Sequence, residues 1–478
     1  MQKLLEKLKT SIKYFFYFFG YSLNKREKKN LLINKIQLIE NYEKKRNFLK
    51  RVIKKYPSDI TFQLLLFECS LELIDDDFTK NLNLYNEKKL VWEKENFLKN
   101  LNIELIPQLI FMGALGNTLQ LRTMIEANSL KLRKNKKIIL IWNKKYRVNN
   151  KILFEYFKEY FTLIEDKEIE DDFDRISLKL EAPLRICINF NTTSLTLPHA
   201  SNYVETKKLG TKFENTSFFQ IKKEHKEFGE NKLKEMGVPL NSWYVALHIR
   251  EPEPNYRGET KANTTENFRN ARPENYIEAI QEIVSKGGYV FRMGSRGLSP
   301  MPKIEGLIDY ANSTYKSELM DVYLGATSKF CIANSSGFHA IPSFFSVPRL
   351  LTDIPNHQVY FFLNKKDMYL PRLFLDLETN NKIKFDKYFS YPLNALGSDK
   401  AFKDRKLLPL QNFKQDITAA TLEMINKTIL KKDINANNIY QNKIKEIIKE
   451  CSYAQTGVNF EALADISPNF LSNNKDLF

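Results

Sequence analysis

A chain of 478 residues is long enough for two or three domains with full cores, and 43% apolar against 27% charged residues is ordinary for a soluble globular protein. The formal charge of +17 is not ordinary, but residues 1–60 hold 16 Lys/Arg against 5 Asp/Glu, so 11 of the 17 excess charges lie at the N-terminus. Four scattered cysteines, Cys69, Cys187, Cys331 and Cys451, with no C-x-x-C spacing, argue against a disulfide framework or a zinc site and suit a reducing cytoplasm.

No apolar run reaches the roughly 20 residues needed to span a bilayer. A secretory signal is not expected either, because Lys13 interrupts the first apolar segment and no small-residue cleavage site follows. Residues 1–31 form a basic aromatic amphipathic segment in which Tyr14 to Phe19 are all aromatic and lysines flank both sides. This pattern suits an interfacial anchor on an anionic membrane surface, or a helix whose aromatic face packs on the rest of the protein. Residues 32–100 carry helical spacing, as in Phe62, Leu65, Leu66, Cys69 and Leu73, without a fixed repeat. The acidic triplet Asp75 to Asp77 reads as a helix-ending loop.

From 101 the pattern becomes α/β. Leu105 to Met112 reads as a strand, GALGN as a loop with Gly113, Gly116 and Asn117, residues 118–129 as a helix, and Ile138 to Trp142 as a second strand. A first Rossmann-like, acceptor-binding domain is expected over 101–240. Its loop glycines let a ligand approach the backbone or simply allow a tight turn. Asp172-Phe173-Asp174 has the D-x-D spacing of metal-dependent transferases, but it lies in the acidic run EDKEIEDDFD with no clean strand before it and reads as a solvated loop.

A second Rossmann-like domain is expected over 241–411. Trp243 to Leu247 is an apolar strand, Pro273 to Ser285 an amphipathic helix, and Tyr289 to Met293 a strand. Leu307 to Tyr310 is a candidate strand, 317–326 a helix, Phe330 to Ala333 a strand and Val347 to Leu351 another. Alternation at this spacing gives a parallel, doubly wound sheet. Residues 412–478 are expected to hold C-terminal helices and a tail: a helix over 412–430 capped by Thr418 or Asp416, a short one near 440–450, and a loosely ordered end.

Three constellations could carry chemistry. His248 and Arg250 share a strand end, with one residue between them, so their side chains point the same way. A guanidinium there can hold a phosphate bidentately and the imidazole can orient a hydroxyl, although a salt bridge and a core histidine would explain the same letters. Asn334, Ser335, Ser336 and Gly337 join a strand to a helix, a setting for a phosphate or for an ordinary cap. Arg269 could add a contact to phosphate or sugar, and Asn270 could line the site or only cap a helix. Glu251 and Glu253 are candidate general bases that could equally be solvated charges. A P-loop and a G-x-G-x-x-G after a strand are both missing, which removes the usual signatures of ATP hydrolysis and dinucleotide redox chemistry.

With these residues in hand, the chain resembles a family of bacterial glycosyltransferases associated with surface-polysaccharide synthesis in the cell envelope. The likeness rests on LHIRE (Leu247 to Glu251), FRNA (Phe268 to Ala271) followed by NYIEAI, YVFRMG (Tyr289 to Gly294), IDYA (Ile308 to Ala311), MDVYLGA (Met320 to Ala326), SSG (Ser335 to Gly337) and the FFSVP run (Phe344 to Pro348). It covers residues 101 to about 426. Its H-x-R element is similar to that of GT-B fucosyltransferases, where an aspartate often stands three residues after the arginine; here Glu251, Pro252 and Glu253 follow Arg250.

The resemblance implies an α/β, GT-B-like fold, with two Rossmann-like parallel-sheet domains facing a cleft and an N-terminal helical region. It also implies a nucleotide-diphosphate sugar donor, a glycan or lipid-linked acceptor, no metal or other cofactor and, by analogy with the fucosyltransferases, an inverting outcome. His248, Arg250, Glu251 and Glu253 would then be the catalytic candidates. Arg269, Asn270, Arg292, Gly294, Asn334, Ser335, Ser336, Gly337, Gly113, Gly116 and Asn117 would bind substrates. The expected location is cytoplasmic, peripheral on the inner face of the membrane. The competing readings are a non-catalytic basic protein that binds nucleic acid or scaffolds a membrane, and a sugar-nucleotide epimerase. No specific nucleic-acid motif supports the former.

Overall fold

The computed structural model describes residues 25–39, 41–57, 62, 65–66, 103–107, 115–133, 137–141, 150–164, 187–214, 217, 219–251, 267–435 and 438–478. The chain divides into two compact units, one of residues 1–102 with 171–178 and one of residues 103–170 with 179–478.

In the first unit the helices Lys25–Gln37 and Tyr42–Lys55 form a hairpin. The side chain of Asn41 caps the second helix by accepting from the Lys44 N–H at 2.9 Å. Ile33, Ile36, Leu49, Val52, Phe62 and Leu65 close a small core of their own, so the helical reading of this region holds where residues are described. The aromatic run of residues 14–19 and the triplet Asp75 to Asp77 lie outside the described residues.

The second unit contains two parallel sheets. Strands β1 (Ile103–Pro107), β2 (Lys137–Ile141) and β3 (Phe161–Ile164) pair in that order, all parallel. The helix Thr118–Ser129 connects β1 to β2 over the residues expected from the sequence. A short antiparallel pair, β4 (Cys187–Asn189) with β5 (Ser194–Thr196), leads into the helix Leu197–Lys208. The helices Thr118–Ser129 and Leu197–Lys208 pack together around a buried ionic cluster. In it, Arg122 donates to Glu126 at 2.9 Å and also to Glu205, and Lys208 pairs with Glu126 at 2.6 Å.

The larger sheet has seven strands: β6 (Tyr244–His248), β7 (Tyr289–Met293), β8 (Leu307–Ile308), β9 (Phe330–Ala333), β10 (Arg349–Ile354), β11 (Met368–Pro371) and, after the separate antiparallel pair of β12 (Phe374–Asp376) with β13 (Leu407–Pro409), β14 (Asp465–Ile466). Their spatial order is β14-β11-β10-β9-β6-β7-β8 and every neighbouring pair is parallel. β6, β9 and β10 lie at the centre with nearly every residue buried, which is why they read as continuous apolar runs rather than alternating ones. The helix Ile277–Ser285 lays Ala279, Ile280 and Ile283 into the core and packs against the helix Lys414–Thr428. The α/β architecture expected from the sequence is the one observed.

Several boundaries move. The candidate strand Leu307 to Tyr310 is only Leu307–Ile308, followed by a 3-10 turn at Tyr310–Asn312. The strand placed at Val347 to Leu351 runs over Arg349–Ile354, because Pro348 supplies no N–H for a ladder. Neither Thr418 nor Asp416 caps the C-terminal helix: it begins at Lys414 behind Phe413, Asp416 lies in its first turn, and Thr418 donates back to the Lys414 carbonyl at 2.7 Å. The end of the chain is not loosely ordered. The helix Ile439–Thr456 is followed by β14, which extends the sheet, and Phe460, Ile466, Phe470, Leu471 and Leu477 are buried. A two-residue strand has no periodicity to betray it.

Candidate functional site

In sequence order the first six strands of the large sheet stand as third, second, first, fourth, fifth, sixth, so winding reverses between β6 and β9. Chains leaving two adjacent strands in opposite directions open a crevice at their carboxyl ends, the position at which doubly wound sheets bind ligands. His248 lies beside Ala333 in the β6–β9 register. The segments that continue past these two residues carry the His248/Arg250 and Asn334-to-Gly337 constellations, so topology brings both to one place.

Asn334 ties the two strand ends together. It is fully buried, and its Oδ1 accepts from the Arg250 backbone N–H at 2.9 Å. Its Nδ2 is buried without a hydrogen-bond partner. His248 stacks on Phe338, with ring centroids 5.6 Å apart and planes 16° from parallel, and its Nε2 faces Ser336 Oγ at 3.3 Å. Its Nδ1 is likewise buried with no partner. Burial first, then the charges of Arg292 and Arg250, push the His248 pKa down to about 3, so the ring is neutral at ordinary pH and presents one donor and one acceptor nitrogen. His339, lowered to about 3 by burial and then by Arg349, His248 and Arg269, is neutral too.

Arg269 joins the same place from a 3-10 turn at Asn267–Arg269. Its Nε donates to the Ser335 carbonyl and hydroxyl, both at 3.1 Å, and its Nη2 to the same carbonyl at 2.9 Å. The Ala271 N–H bonds the Arg250 carbonyl at 2.9 Å, so the segments carrying the two arginines are stitched to one another. Asn270 does not cap a helix: its Nδ2 reaches Asn267 Oδ1 at 3.4 Å and its Oδ1 is buried without a partner.

Other candidates have different surroundings. Glu251 is buried and ion-paired with Arg292, which is fully buried on β7 and also donates to Asp309 Oδ1 at 3.1 Å. A carboxylate held this way would have to give up a buried ion pair before it could take a proton. Gly294, at φ +147°, lies against Leu298, whose Cδ1 would stand 2.4 Å from an added Cβ, so packing explains this glycine. Glu253, Gly113 and the D-x-D of residues 172–174 lie outside the described residues.

Gly337 also has a packing reason. A Cβ there would stand 2.6 Å from the Gly116 backbone nitrogen and 3.1 Å from Leu115 Cβ. The 3-10 turn Leu115–Asn117, after the first strand of the small sheet, therefore rests on the loop after β9, and Gly116 and Asn117 are carried to the crevice rim. Ser336 caps the short 3-10 turn that follows, accepting from the Phe338 N–H at 3.3 Å. Ser335 holds Arg269, and so contributes to the site through that guanidinium.

Sequence reasoning missed Phe338, His339 and a hydrogen-bonded network behind the Arg269 turn. In that network Arg372 donates to the carbonyls of Phe268 and Asn270, and Asp399 accepts from the Asn267 and Phe268 N–H groups at 2.9 Å each. An aromatic two residues after Ser336 could have been noticed, whereas nothing local marks positions 372 and 399. Among the described residues no group of three or more His, Cys, Asp or Glu could hold a metal ion, and no helix is long and apolar enough to cross a membrane.

No family model matches the chain, and no curated protein matches it in sequence. Among solved structures, the chain is similar to the ADP-heptose LPS heptosyltransferase II of E. coli, at 11% identity and TM-score 0.36, over 56% of this chain and 90% of that one. It is similar also to a glycosyl transferase of family 9 from Veillonella parvula, at 12% identity and TM-score 0.30, over 52% of this chain and 79% of that one. A third is the iron-containing dodecameric glycosyltransferase TibC of enterotoxigenic E. coli, at 12% identity and TM-score 0.25, of whose length the chain spans 57%. At such scores and identities the likeness carries neither a residue role nor a substrate over to this chain.

Proposed function

We propose that this protein is a metal-independent glycosyltransferase that moves a sugar from a nucleotide-diphosphate sugar to a glycan or lipid-linked acceptor in surface-polysaccharide synthesis. The observation that supports it best is the convergence, at the switch point of a doubly wound sheet, of Arg250, Arg269 and the buried, unpartnered Nδ2 of Asn334 and Nδ1 of His248. The family resemblance of the sequence points the same way.

In this reading the anomeric C–O bond of the donor breaks and its electron pair moves to the terminal phosphate oxygen. Arg250 and Arg269 neutralise the leaving diphosphate, a task that other enzymes give to a divalent cation. Asn334 Nδ2 donates to a phosphate or ribose oxygen. Neutral His248 orients the donor or the acceptor hydroxyl, whose oxygen forms the new glycosidic bond. The acceptor proton leaves to a carboxylate, for which Glu253 is the candidate; Glu251 instead holds the chain after β6 through Arg292. The acceptor enters from the side of Gly116 and Asn117, and the basic segment of residues 1–31 holds the enzyme at an anionic membrane face.

The test is a transfer assay with UDP-, GDP-, ADP- and dTDP-sugars on cell-envelope glycolipid acceptors in EDTA. Release of one nucleotide with labelling of acceptor supports the reading, and the absence of transfer from every donor class contradicts it.

A further inference from the structure

We propose that Arg372 is the positioning residue that sets Arg269 at the switch point, by gripping the two carbonyls on either side of it. Arg372 is buried at the junction of β11 and β12. Its Nη1 donates to the Phe268 carbonyl at 2.5 Å, its Nη2 to the Asn270 carbonyl at 2.6 Å, and its Nε to Asp353 Oδ1 at 3.1 Å. The residues before and after Arg269 are thereby fixed by one planar fork. A lysine cannot reproduce this, having a single charged centre in place of three donors in a plane.

The fork is itself held. Asp353 is fully buried, its Oδ1 also accepts from the Asn412 N–H at 2.8 Å, and its Oδ2 accepts from the Tyr276 hydroxyl at 2.8 Å. Asn412 returns the contact, accepting from the Asp353 N–H at 2.6 Å and donating to the Pro371 carbonyl at 2.8 Å. Asp353 adopts φ +52°, at a register shift between Thr352 and Ile354 in β10. An irregularity that turns a buried carboxylate out of the ladder at a strand end is the kind of local strain that accompanies built sites.

At the other side of the turn, Asp399 accepts from both leading amides. Two amides and two carbonyls of the turn are thereby anchored, on both sides of Arg269. The three contacts of the Arg269 side chain to Ser335 place it at the site.

The inference rests on the sugar-nucleotide reading for the identity of the ligand and on geometry alone for the clamp. The experiment combines Arg269→Ala, Arg372→Met, Arg372→Lys and the double variant Arg269→Ala/Arg372→Met, in full-length protein. Affinity is measured by calorimetry for whichever of UDP, GDP, ADP or dTDP the wild type prefers, beside hydrogen exchange of residues 267–271 and the melting temperature. Each single variant is expected to weaken binding about tenfold, the effect of one charged hydrogen-bonding group. The double variant should be no weaker than Arg269→Ala, because Arg372 acts only through Arg269. Arg372→Lys should behave like Arg372→Met, and amide exchange at Asn270 and Ala271 should rise in both but not in Arg269→Ala. Losses that multiply in the double variant, or an Arg372→Met protein that binds as the wild type does, would overturn the proposal. If Arg372→Met does not fold, the lysine variant carries the same cycle. If the wild type binds no nucleoside diphosphate, the ligand reading fails, and the exchange data decide the clamp: faster exchange at 270–271 supports it, unchanged exchange refutes it.

Discussion

The end of β10 and the junction of β6 with β9 lie on the same edge of one sheet, and they treat polar groups in opposite ways. Behind β10, Asp353, Arg372, Tyr276 and Asn412 satisfy one another, and none of them has a buried polar atom without a partner. At the β6–β9 junction, Asn334 Nδ2 and His248 Nδ1 are buried and bond nothing. An unmet buried donor or acceptor costs about 1–3 kcal/mol, which a fold tolerates at a place where something else supplies the bond. One half of the edge is closed on itself, and the other half, in the proposed reading, keeps its hydrogen-bonding capacity for a ligand.

The largest expected effect breaks the closed half. Asp353→Ala leaves the Arg372 guanidinium buried without its carboxylate, and should destabilise the protein by about 3–5 kcal/mol in urea unfolding. Arg250→Ala breaks the other half. It should lower transfer by about 10²–10³-fold, whereas Asp353→Ala, which also releases the fork that holds the Arg269 turn, should lower stability and transfer together.

Gly337→Ala sharpens the comparison by separating the two loops that meet at the crevice. Its Cβ would stand 2.6 Å from the Gly116 nitrogen, and overpacking of this kind should cost about 1–3 kcal/mol. Transfer should fall more than nucleotide affinity does, since the acceptor side moves away from the donor side.

A graded effect concerns protons. His248 has a folded pKa lowered to about 3 from 6.5, so between these values the unfolded chain binds a proton that the folded one excludes. The stability it contributes is complete above pH 6.5 and is lost as pH falls toward 3, with a slope of about 1.4 kcal/mol per pH unit. His248→Gln should remove that increment from the slope measured between pH 6 and 4. Nucleotide affinity of the wild type should show no titration of this group between pH 5 and 8, where the ring stays neutral.

Much of this edge was legible in the letters. Central parallel strands announce themselves as short apolar runs, and β6, β7 and β9 fall within one residue of where the sequence puts them. The loops after β6 and β9 were legible for the same reason, since a strand that stops at His248 or Ala333 must hand over to something polar. The closed half was not legible. Asp353, Arg372, Asp399 and Asn412 come from four separate segments, and only the wound sheet assembles them. The same holds for Gly337, whose partner Gly116 is more than two hundred residues away and gives the glycine a packing reason that mimics a phosphate-binding one. Arg292 and Glu251 resembled two site residues and are each other's partners, because neighbouring strands bring them together.

The most direct test of the open half is calorimetric titration of UDP, GDP, ADP and dTDP in EDTA into the wild type and into Asn334→Asp. That substitution keeps the Oδ1 acceptor for the Arg250 N–H and replaces the unpartnered donor with a negative oxygen. The account predicts that one nucleoside diphosphate binds the wild type and that the variant, while still folded at the temperature of the titration, binds it at least about tenfold more weakly. A variant that binds as tightly as the wild type, or a wild type that binds none of the four, would contradict it.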